Sequence, residues 1–206
     1  MYKRYLLVPI FALAGLYVWY VHFNYRFEVI DKNKVYKSAA IPPKELSAYL
    51  RKYNIKTVVD LRDGGSYSDL NPVNQSEIDA EARVIAKIAN VEHINIPSPQ
   101  VPTRETLTRF LTVINDKNAY PILIHCHHGT GRAQIYSAIY RIEMLKMANE
   151  EARAKTRWIT EMPGYKSSFA RTKEKGEFLA LYHPSEQGPK STRDTLHASL
   201  YGLTIQ

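Results

Sequence analysis

The chain has 206 residues, of which 45% are apolar and 23% are charged, and its net charge is +8. This length suits one domain of ordinary size and excludes two large ones. The composition is that of a globular chain rather than a disordered one. A single cysteine excludes an intrachain disulfide. The cations are spread along the chain without a dense basic cluster, so we expect no nucleic acid partner.

Residues 5–25 contain no Asp, Glu, Lys or Arg. At roughly 1.5 Å per residue, a helix of this length spans about 31 Å, close to the hydrocarbon thickness of a bilayer. Aromatic residues gather at its far end, as they do at a membrane surface: Tyr17, Trp19, Tyr20 and Tyr25. A cleaved signal peptide and a buried soluble helix are alternatives, but neither a small-residue cleavage site nor a polar face is visible. The segment therefore predicts one transmembrane helix, with the membrane as a partner.

Beyond this segment, the apolar pattern alternates between the periods of strands and helices. Strands are predicted at residues 35–38, 55–61, 93–96 and 122–125. Helices are predicted at residues 42–53, 76–89, 133–147, 149–159 and 172–182, and after a cap at Thr103. Such alternation implies right-handed crossovers, so we predict an α/β fold with a mainly parallel sheet flanked by helices.

Two of the predicted helices have a specific cap or a specific buried face in this prediction. Ser76 and Asp79 have the spacing of a capping box at the start of the second helix. Its core-facing stripe is expected to consist of Ala80, Val84, Ile85 and Ile88. In the helix after residue 132, we expect Leu145 to face inward with the other apolar residues.

The segment that carries the chemistry runs from His125 to Arg132 and reads HCHHGTGR. It follows a buried strand and opens a helix, so its backbone N–H groups and the helix N-terminus converge on one point. Gly129 and Gly131 are expected to supply the unusual φ values of such a loop. This geometry predicts a site for a dianionic phosphate, formed by His127, His128, Gly129, Thr130 and Gly131.

Cys126 lies in the same field, which stabilises its thiolate and makes it a candidate nucleophile. Arg132 is at the first turn of the following helix, where its planar guanidinium suits two equatorial phosphate oxygens. His127 and His128 are rim residues that either add positive charge toward a substrate or are merely exposed. Adjacent residues cannot all point at one ion, so we expect no metal.

The Cys-x5-Arg loop, with His125 before its cysteine, resembles the signature of the cysteine-dependent protein tyrosine phosphatase superfamily. The order of elements in residues 33–182 is similar to the dual-specificity branch, and similar bacterial enzymes carry an N-terminal membrane segment. The resemblance implies a phosphocysteine intermediate on Cys126, later hydrolysed by water, without cofactor or metal. It also implies a substrate that is a phosphorylated protein or a small phosphomonoester, with phosphotyrosine or another aryl phosphate favoured.

These observations predict three parts: a membrane anchor (1–26), a catalytic domain (33–182) and a polar tail (183–206). The expected location is a bacterial inner membrane, crossed once. Basic residues flank both ends of the anchor, so the positive-inside rule gives no clear orientation. The short leader with Lys3 and Arg4 slightly favours a catalytic domain outside the cytoplasm.

Two positions depart from the family's pattern. Ala133 stands where the family usually has Ser or Thr, whose hydroxyl helps the phosphoenzyme break down. The loop at residues 97–102 has Gln100 and lacks the Asp that serves the family as general acid. Asp63 and Asp69 lie near the same sheet edge, but we expect Asp63 to form a turn before the two glycines that follow it.

Three functions remain open at this stage. The first is a phosphatase of phosphotyrosine or a similar substrate. The second is a catalytically weak phosphate-binding protein, a pseudophosphatase, which the missing hydroxyl and acid would favour. The third is a phosphatase of a polyanion such as an inositol phosphate; the net charge favours it, while the absence of lysine in the loop does not.

Overall fold

The chain folds around a five-stranded sheet in a computed structural model that describes residues 7–184. The strands are β1 (Glu28–Asp31), β2 (Val35–Ala39), β3 (Thr57–Asp60), β4 (Glu92–Asn95) and β5 (Ile122–Cys126). Their order across the sheet is β1-β2-β5-β3-β4, with β1 antiparallel to β2 and all other neighbours parallel. The predicted α/β fold and its four parallel strands are confirmed. Almost all of the predicted tail lies outside the described residues.

The antiparallel edge strand β1 was not predicted from the sequence. It has four residues, two of them acidic, and only Ile30 is buried. A register irregularity between Val29 and Asp31 shortens its regular pairing further. An apolar alternation this short cannot be distinguished from a loop by its pattern.

Helices cover both faces of the sheet. α2 (Pro43–Lys52) and α3 (Gln75–Ile85) pack on one face, where Leu46, Leu50 and Ile85 enter a core cluster with Val58 and Leu123. The other face is covered by α4 (Arg104–Asn115), α5 (Arg132–Glu143), α6 (Asn149–Ala154) and α7 (Glu174–Ala180). A short hairpin, β6 (Glu161–Met162) and β7 (Tyr165–Lys166), lies between α6 and α7. The last two helices are shorter than predicted.

Helix α3 differs from its prediction at its cap, its end and its buried face. Its N-cap is Asn74, whose side chain accepts from the backbone N–H of Glu77, so the predicted capping box of Ser76 and Asp79 is wrong. The helix ends at Ile85 rather than near residue 89, and Asn90 then adopts a φ of 61°. Its buried residues are Ile78, Glu81 and Ile85. The inward face therefore contains a carboxylate, which the apolar pattern could not indicate.

The cap of α4 and the burial of α5 agree with their predictions better than α3 does. Thr103 caps α4 through a reciprocal capping box with Thr106. All 12 residues of α5 are buried, because this helix lies between the sheet and α7. Leu145 was expected to face inward, but it follows the end of the helix at Glu143 and is 40% exposed.

Helix α1 (Leu7–His22) occupies most of the segment that was predicted to cross a membrane. It has 16 residues, whereas the prediction was a helix over residues 5–25, the first two of which lie outside the described part. Among residues 7–184, no helix combines the length and the apolar character that a membrane crossing requires.

The chain after α1 turns back toward the sheet instead of continuing the helix. Tyr25 and Arg26 have φ values of 54° and 50°, and the side chain of Asn24 accepts from the N–H of Phe27. The ring of Tyr25 packs edge-on against Tyr49, with 6.0 Å between ring centroids. Tyr25 thus packs against the α/β unit rather than forming the end of an aromatic belt.

Candidate active site

The predicted loop lies at the carboxyl end of the middle strand. Cys126 is the last residue of β5, pairs in register with Ala39 of β2, and is 3% exposed. Arg132 is the first residue of α5. The loop between them occupies the sheet edge where ligands of open α/β sheets bind.

The two glycines of the loop lie in different surroundings. Gly129 has a φ of 66°, and a Cβ there would lie 2.5 Å from the backbone nitrogen of Ala39. The expected unusual backbone is therefore confirmed for Gly129. Gly131 has a φ of −112°, so that expectation is wrong for it. A Cβ at Gly131 would instead lie 3.0 Å from Gln100 Oε1 and 3.1 Å from Lys175 Nζ.

The guanidinium of Arg132 is fixed across the edge of the sheet. Its Nη1 donates to the carbonyls of Leu61, at 2.9 Å, and Ser98, at 3.4 Å. These carbonyls follow β3 and β4, so the arginine bridges the ends of two strands. Burial lowers its pKa, while the nearby Cys126 raises it. The side chain is only 2% exposed and is held beside the cysteine.

Three cations hold the outer side of the loop, each on a different carbonyl. Nη1 of Arg26 donates to His128 O at 2.9 Å, and Nζ of Lys37 donates to Gly129 O at 3.1 Å. Nη2 of Arg157 donates to Thr130 O at 2.6 Å. The carbonyls of three successive loop residues are thus each held by a cation. Successive N–H groups that converge in a loop form the type of concavity that binds phosphate.

These three cations come from the turn after α1, from β2 and from the segment after α6. Nothing in their sequence spacing connects them with the loop, so sequence reasoning missed them. Lys37 is 1% exposed and forms an ion pair of 3.2 Å with Glu28. Burial lowers the pKa of Lys37, while Glu28 and Cys126 favour its charged form. A buried ammonium therefore contributes to the field at the cysteine.

His125 is held below the loop by a buried network of charges. Its Nε2 lies 2.8 Å from Oε1 of Glu81 on α3. Arg62 binds Asp60 with Nη2 to Oδ2 at 2.7 Å and binds Glu81 with Nη2 to Oε2 at 2.6 Å. Burial alone would lower the pKa of His125, but the carboxylates of Glu81 and Asp60 outweigh it and raise that pKa. The network fixes the residue that precedes Cys126.

Three residues of this region have the spacing of metal ligands. Asp60, Glu81 and His93 bring potential ligand atoms within 4.8 Å of one another. The guanidinium of Arg62 already binds both carboxylates. The cation that these carboxylates neutralise is therefore a side chain of the protein.

Comparisons with known proteins agree with this geometry. A family model described as a DSP-PTPase phosphatase fused to NAD+ kinase matches residues 25–174, more than half of the chain. The chain belongs to this phosphatase family. The predicted kinship with cysteine-dependent phosphatases of the tyrosine and dual-specificity type is thereby confirmed. None of the curated proteins matches the chain.

Several solved structures share the fold at low sequence identity. The core catalytic domain of the PP-IP phosphatase SIW14 from S. cerevisiae, in complex with citrate, has a TM-score of 0.55 and 18% identity, over 87% of this chain and 95% of that one. TpbA from P. aeruginosa has a TM-score of 0.52 and 18% identity, over 78% and 84%. A mutant form of Tk-PTP has a TM-score of 0.52 and 24% identity, over 74% and 91%.

In this phosphatase, the surroundings of the two loop histidines disfavour the positive charge that they could bring to the site. His127 and His128 are half-buried, and their rings meet edge-on with 4.5 Å between centroids. Burial lowers the pKa of both, and nearby cations, including Arg132, lower it further. The lowered pKa disfavours on both imidazoles the positive charge that was considered from the sequence.

The two carboxylates considered as a replacement for the missing general acid, Asp63 and Asp69, lie in the loop after β3. Asp63 accepts from the N–H of Gly65 at 2.9 Å and from Ser66 Oγ at 2.6 Å, which confirms its expected turn role. The hydrogen bond from Ser66 lowers the pKa of Asp63, opposed by partial burial. This carboxyl is ionised at neutral pH and has no proton to give. Asp69 is exposed.

The place beside Gly131 is occupied by a lysine that the sequence did not suggest. Nζ of Lys175, on α7, donates to Gln100 Oε1 at 2.6 Å. Burial lowers the pKa of Lys175, as do Arg157 and Arg132, while Cys126 raises it. An ammonium group thus lies at the mouth of the loop, next to the residue that stands in place of the family's aspartate.

Proposed function

We propose that this phosphatase hydrolyses phosphomonoesters through a phosphocysteine on Cys126, with Arg132 binding the phosphate. One observation supports this most strongly. Three cations each bind one of three successive loop carbonyls, and this arrangement suits a loop whose N–H groups face the space between the cysteine and the arginine. Such fixed donors stabilise charge on the equatorial oxygens without reorganising during the reaction.

The reaction proceeds in two displacements. The Cys126 thiolate attacks phosphorus, the bond to the ester oxygen breaks, and that oxygen leaves with the bonding electrons. Water then attacks the phosphocysteine, which releases inorganic phosphate and a proton and restores the thiolate. Arg132 and the loop N–H groups bind the three equatorial oxygens in both steps.

Lys175 stabilises the leaving oxygen in the first displacement. Its ammonium has a lowered pKa and lies at the loop's mouth, 3.1 Å from where a Cβ of Gly131 would be. Electrostatic stabilisation of this type is sufficient for an aryl oxygen, whose conjugate acid has a pKa of about 10. It is less effective for an aliphatic oxygen, which is a poorer leaving group without a proton. We therefore expect phosphotyrosine-like aryl esters to be preferred over phosphoserine and phosphothreonine.

A polyanion such as an inositol phosphate is the second candidate substrate. The excess of cations around the loop favours it, and SIW14, whose fold this chain shares, is named a PP-IP phosphatase. A comparison of phosphotyrosine peptides, phosphoserine peptides and inositol phosphates on the full chain in detergent distinguishes the candidates. Cys126→Ser is the control for contaminating activity. Hydrolysis of none of them by the wild type would leave only the phosphate-binding pseudophosphatase.

We also propose that α1 attaches the protein to a membrane, as the N-terminal segment predicts. Large apolar side chains of this helix are strongly exposed, among them Phe11 at 71%, Leu13 at 67% and Leu16 at 63%. Full-length protein should sediment with membranes and resist carbonate extraction. Leu13→Asp together with Leu16→Asp should release it, whereas Tyr67→Asp, at a residue that is 78% exposed in a loop, should not. Release of wild-type protein by carbonate would contradict attachment through an inserted helix.

A further inference from the structure

A cavity lies beside the catalytic loop, residues 125–132, and Thr130 of that loop lines it. It has a volume of about 610 Å³ and extends from the end of α1 to the segment after α6. Four cations line it: Arg26, Lys37, Lys155 and Arg157. Glu28 is the one acid among its lining residues. Ligand pockets of proteins have volumes in this range.

The single acid of this cavity is already neutralised. Glu28 lies 3.2 Å from Lys37 Nζ and 3.0 Å from Arg141 Nη2. Lys155 has a partner at 3.8 Å, Glu151, but both side chains are about half exposed, and such pairs contribute little. Arg26 and Arg157 have no carboxylate within 4.0 Å among residues 7–184. The cavity therefore holds an uncompensated positive charge.

Arg26 and Arg157 each have more N–H groups than their hydrogen bonds to the loop use. The hydrogen bond of each to the loop uses one guanidinium nitrogen, Nη1 in Arg26 and Nη2 in Arg157, and a guanidinium has five N–H groups. Both side chains are half-buried, and the charge of Arg26 lowers the pKa of Arg157 in addition to the effect of burial. Two like charges held close together in a partly dry cavity repel each other, and an anion between them removes this cost.

We propose that this cavity is a second anion site, which binds a phosphate group between the guanidinium groups of Arg26 and Arg157. Planar guanidinium forks match phosphate oxygens in pairs, and Lys155 adds charge at the rim. Tyr17, Tyr20 and Trp158 line the same cavity and offer apolar surface to whatever the phosphate is attached to. The phosphate is carried either by a soluble compound or by a phospholipid, since Tyr17 and Tyr20 belong to α1.

The site is testable without turnover, so its failure is separate from failure of the proposed reaction. Full-length protein in neutral detergent is first alkylated at Cys126, its single cysteine, with neutral iodoacetamide, which blocks the catalytic loop without adding an anion. Calorimetric titration with a short-chain phosphatidic acid should then show one binding event. Arg26→Gln with Arg157→Gln should weaken it at least about tenfold, because charge-assisted hydrogen bonds are lost. Arg104→Gln, an exposed arginine on α4, is the matched control and should leave it unchanged.

The outcome is decisive in both directions. Absence of binding by the alkylated protein, or equal binding by the alkylated double variant, would overturn the proposal. If the double variant has no cooperative thermal transition, Lys155→Gln with Trp158→Ala takes its place, because neither residue bonds a loop carbonyl. If this second double variant binds the short-chain phosphatidic acid with unchanged affinity, the proposed site is wrong. A loss of affinity supports the site.

A second titrant identifies the source of the phosphate. Inorganic phosphate that binds as tightly as the short-chain lipid indicates a soluble ligand. Binding by the lipid alone, together with extra binding to phosphatidic acid vesicles over phosphatidylcholine vesicles that depends on Arg26 and Arg157, indicates a phospholipid headgroup.

Discussion

The catalytic loop and the loop at residues 97–102 face the same place but differ in how far they keep the family's chemistry. The catalytic loop has its cysteine and its arginine, with cations bound to three of its carbonyls and the charges around His125 beside it. The opposite loop has lost its carboxylate, and Gln100 there accepts from Lys175. The proposed phosphate binding and nucleophilic attack thus have their arginine and cysteine in place, whereas the proposed departure of the leaving oxygen depends on a lysine.

Replacement of the nucleophile should abolish hydrolysis, because it removes the central group of the catalytic loop. Cys126→Ser should lower kcat by at least about 10⁴-fold, because a serine hydroxyl is far less acidic and will not attack from this loop. Its tungstate affinity, measured by calorimetry, should survive because the N–H groups and Arg132 remain. Unchanged hydrolysis by this variant would end the cysteine mechanism.

Arg132→Lys should have the next largest effect. Lysine keeps the charge but loses the two-pronged geometry, so kcat/KM for p-nitrophenyl phosphate should fall roughly 10²- to 10³-fold with the fold intact. Arg104→Lys provides the control for the same exchange on an exposed helix. Near wild-type kinetics in Arg132→Lys would remove this arginine from the site.

Lys175→Met tests the leaving-group side. Because this ammonium is partly solvated, we expect a loss of about tenfold in kcat/KM, larger for esters with poorer leaving groups. The wild type should lose activity as pH rises through the lowered pKa of Lys175, since the charged form is the active one, and this alkaline decline should vanish in the variant. Lys173→Met, an exposed residue before the same helix, should change neither. Identical pH profiles for wild type and Lys175→Met would exclude the lysine.

Glu81→Gln should affect stability more than catalysis. The pKa of His125 is raised in the fold, so its contribution is complete below about pH 6.5 and is lost as pH rises through the folded value. The pKa of Glu81 is lowered by His125 and Arg62 against the effect of burial, so its contribution is present above about pH 4.3 and lost on acidification. Between these values the variant should be less stable by roughly 3–5 kcal/mol.

Denaturant unfolding at several pH values measures this difference. It should shrink as pH rises from about 6.5 through the raised pKa of folded His125. Glu77→Gln, at an exposed glutamate on the same helix, should show no such pH-dependent loss. A constant difference across the pH range would mean that His125 is not charged through Glu81.

The sequence was sufficient wherever local patterns determine structure. β-branched runs predicted the parallel strands, and the spacing of Cys126 and Arg132 predicted the loop and the family. It was insufficient where function depends on contacts between distant segments. The cations on the loop carbonyls come from positions 26, 37 and 157, and Lys175 reaches Gln100 across 75 positions. Glu81 was missed because a buried carboxylate interrupts the apolar stripe by which helix faces are recognised.

The most direct test of the account is to observe the phosphocysteine during turnover. Full-length protein is mixed with p-nitrophenyl phosphate, quenched in acid within the first turnovers and examined by intact mass and peptide mapping. Because Ala133 lacks the hydroxyl that helps breakdown, phosphate should accumulate on Cys126 and p-nitrophenol should appear as a burst. Ala133→Ser should shrink the burst and raise the steady-state rate. Turnover without covalent phosphate on Cys126, in both the wild type and Ala133→Ser, would contradict the account.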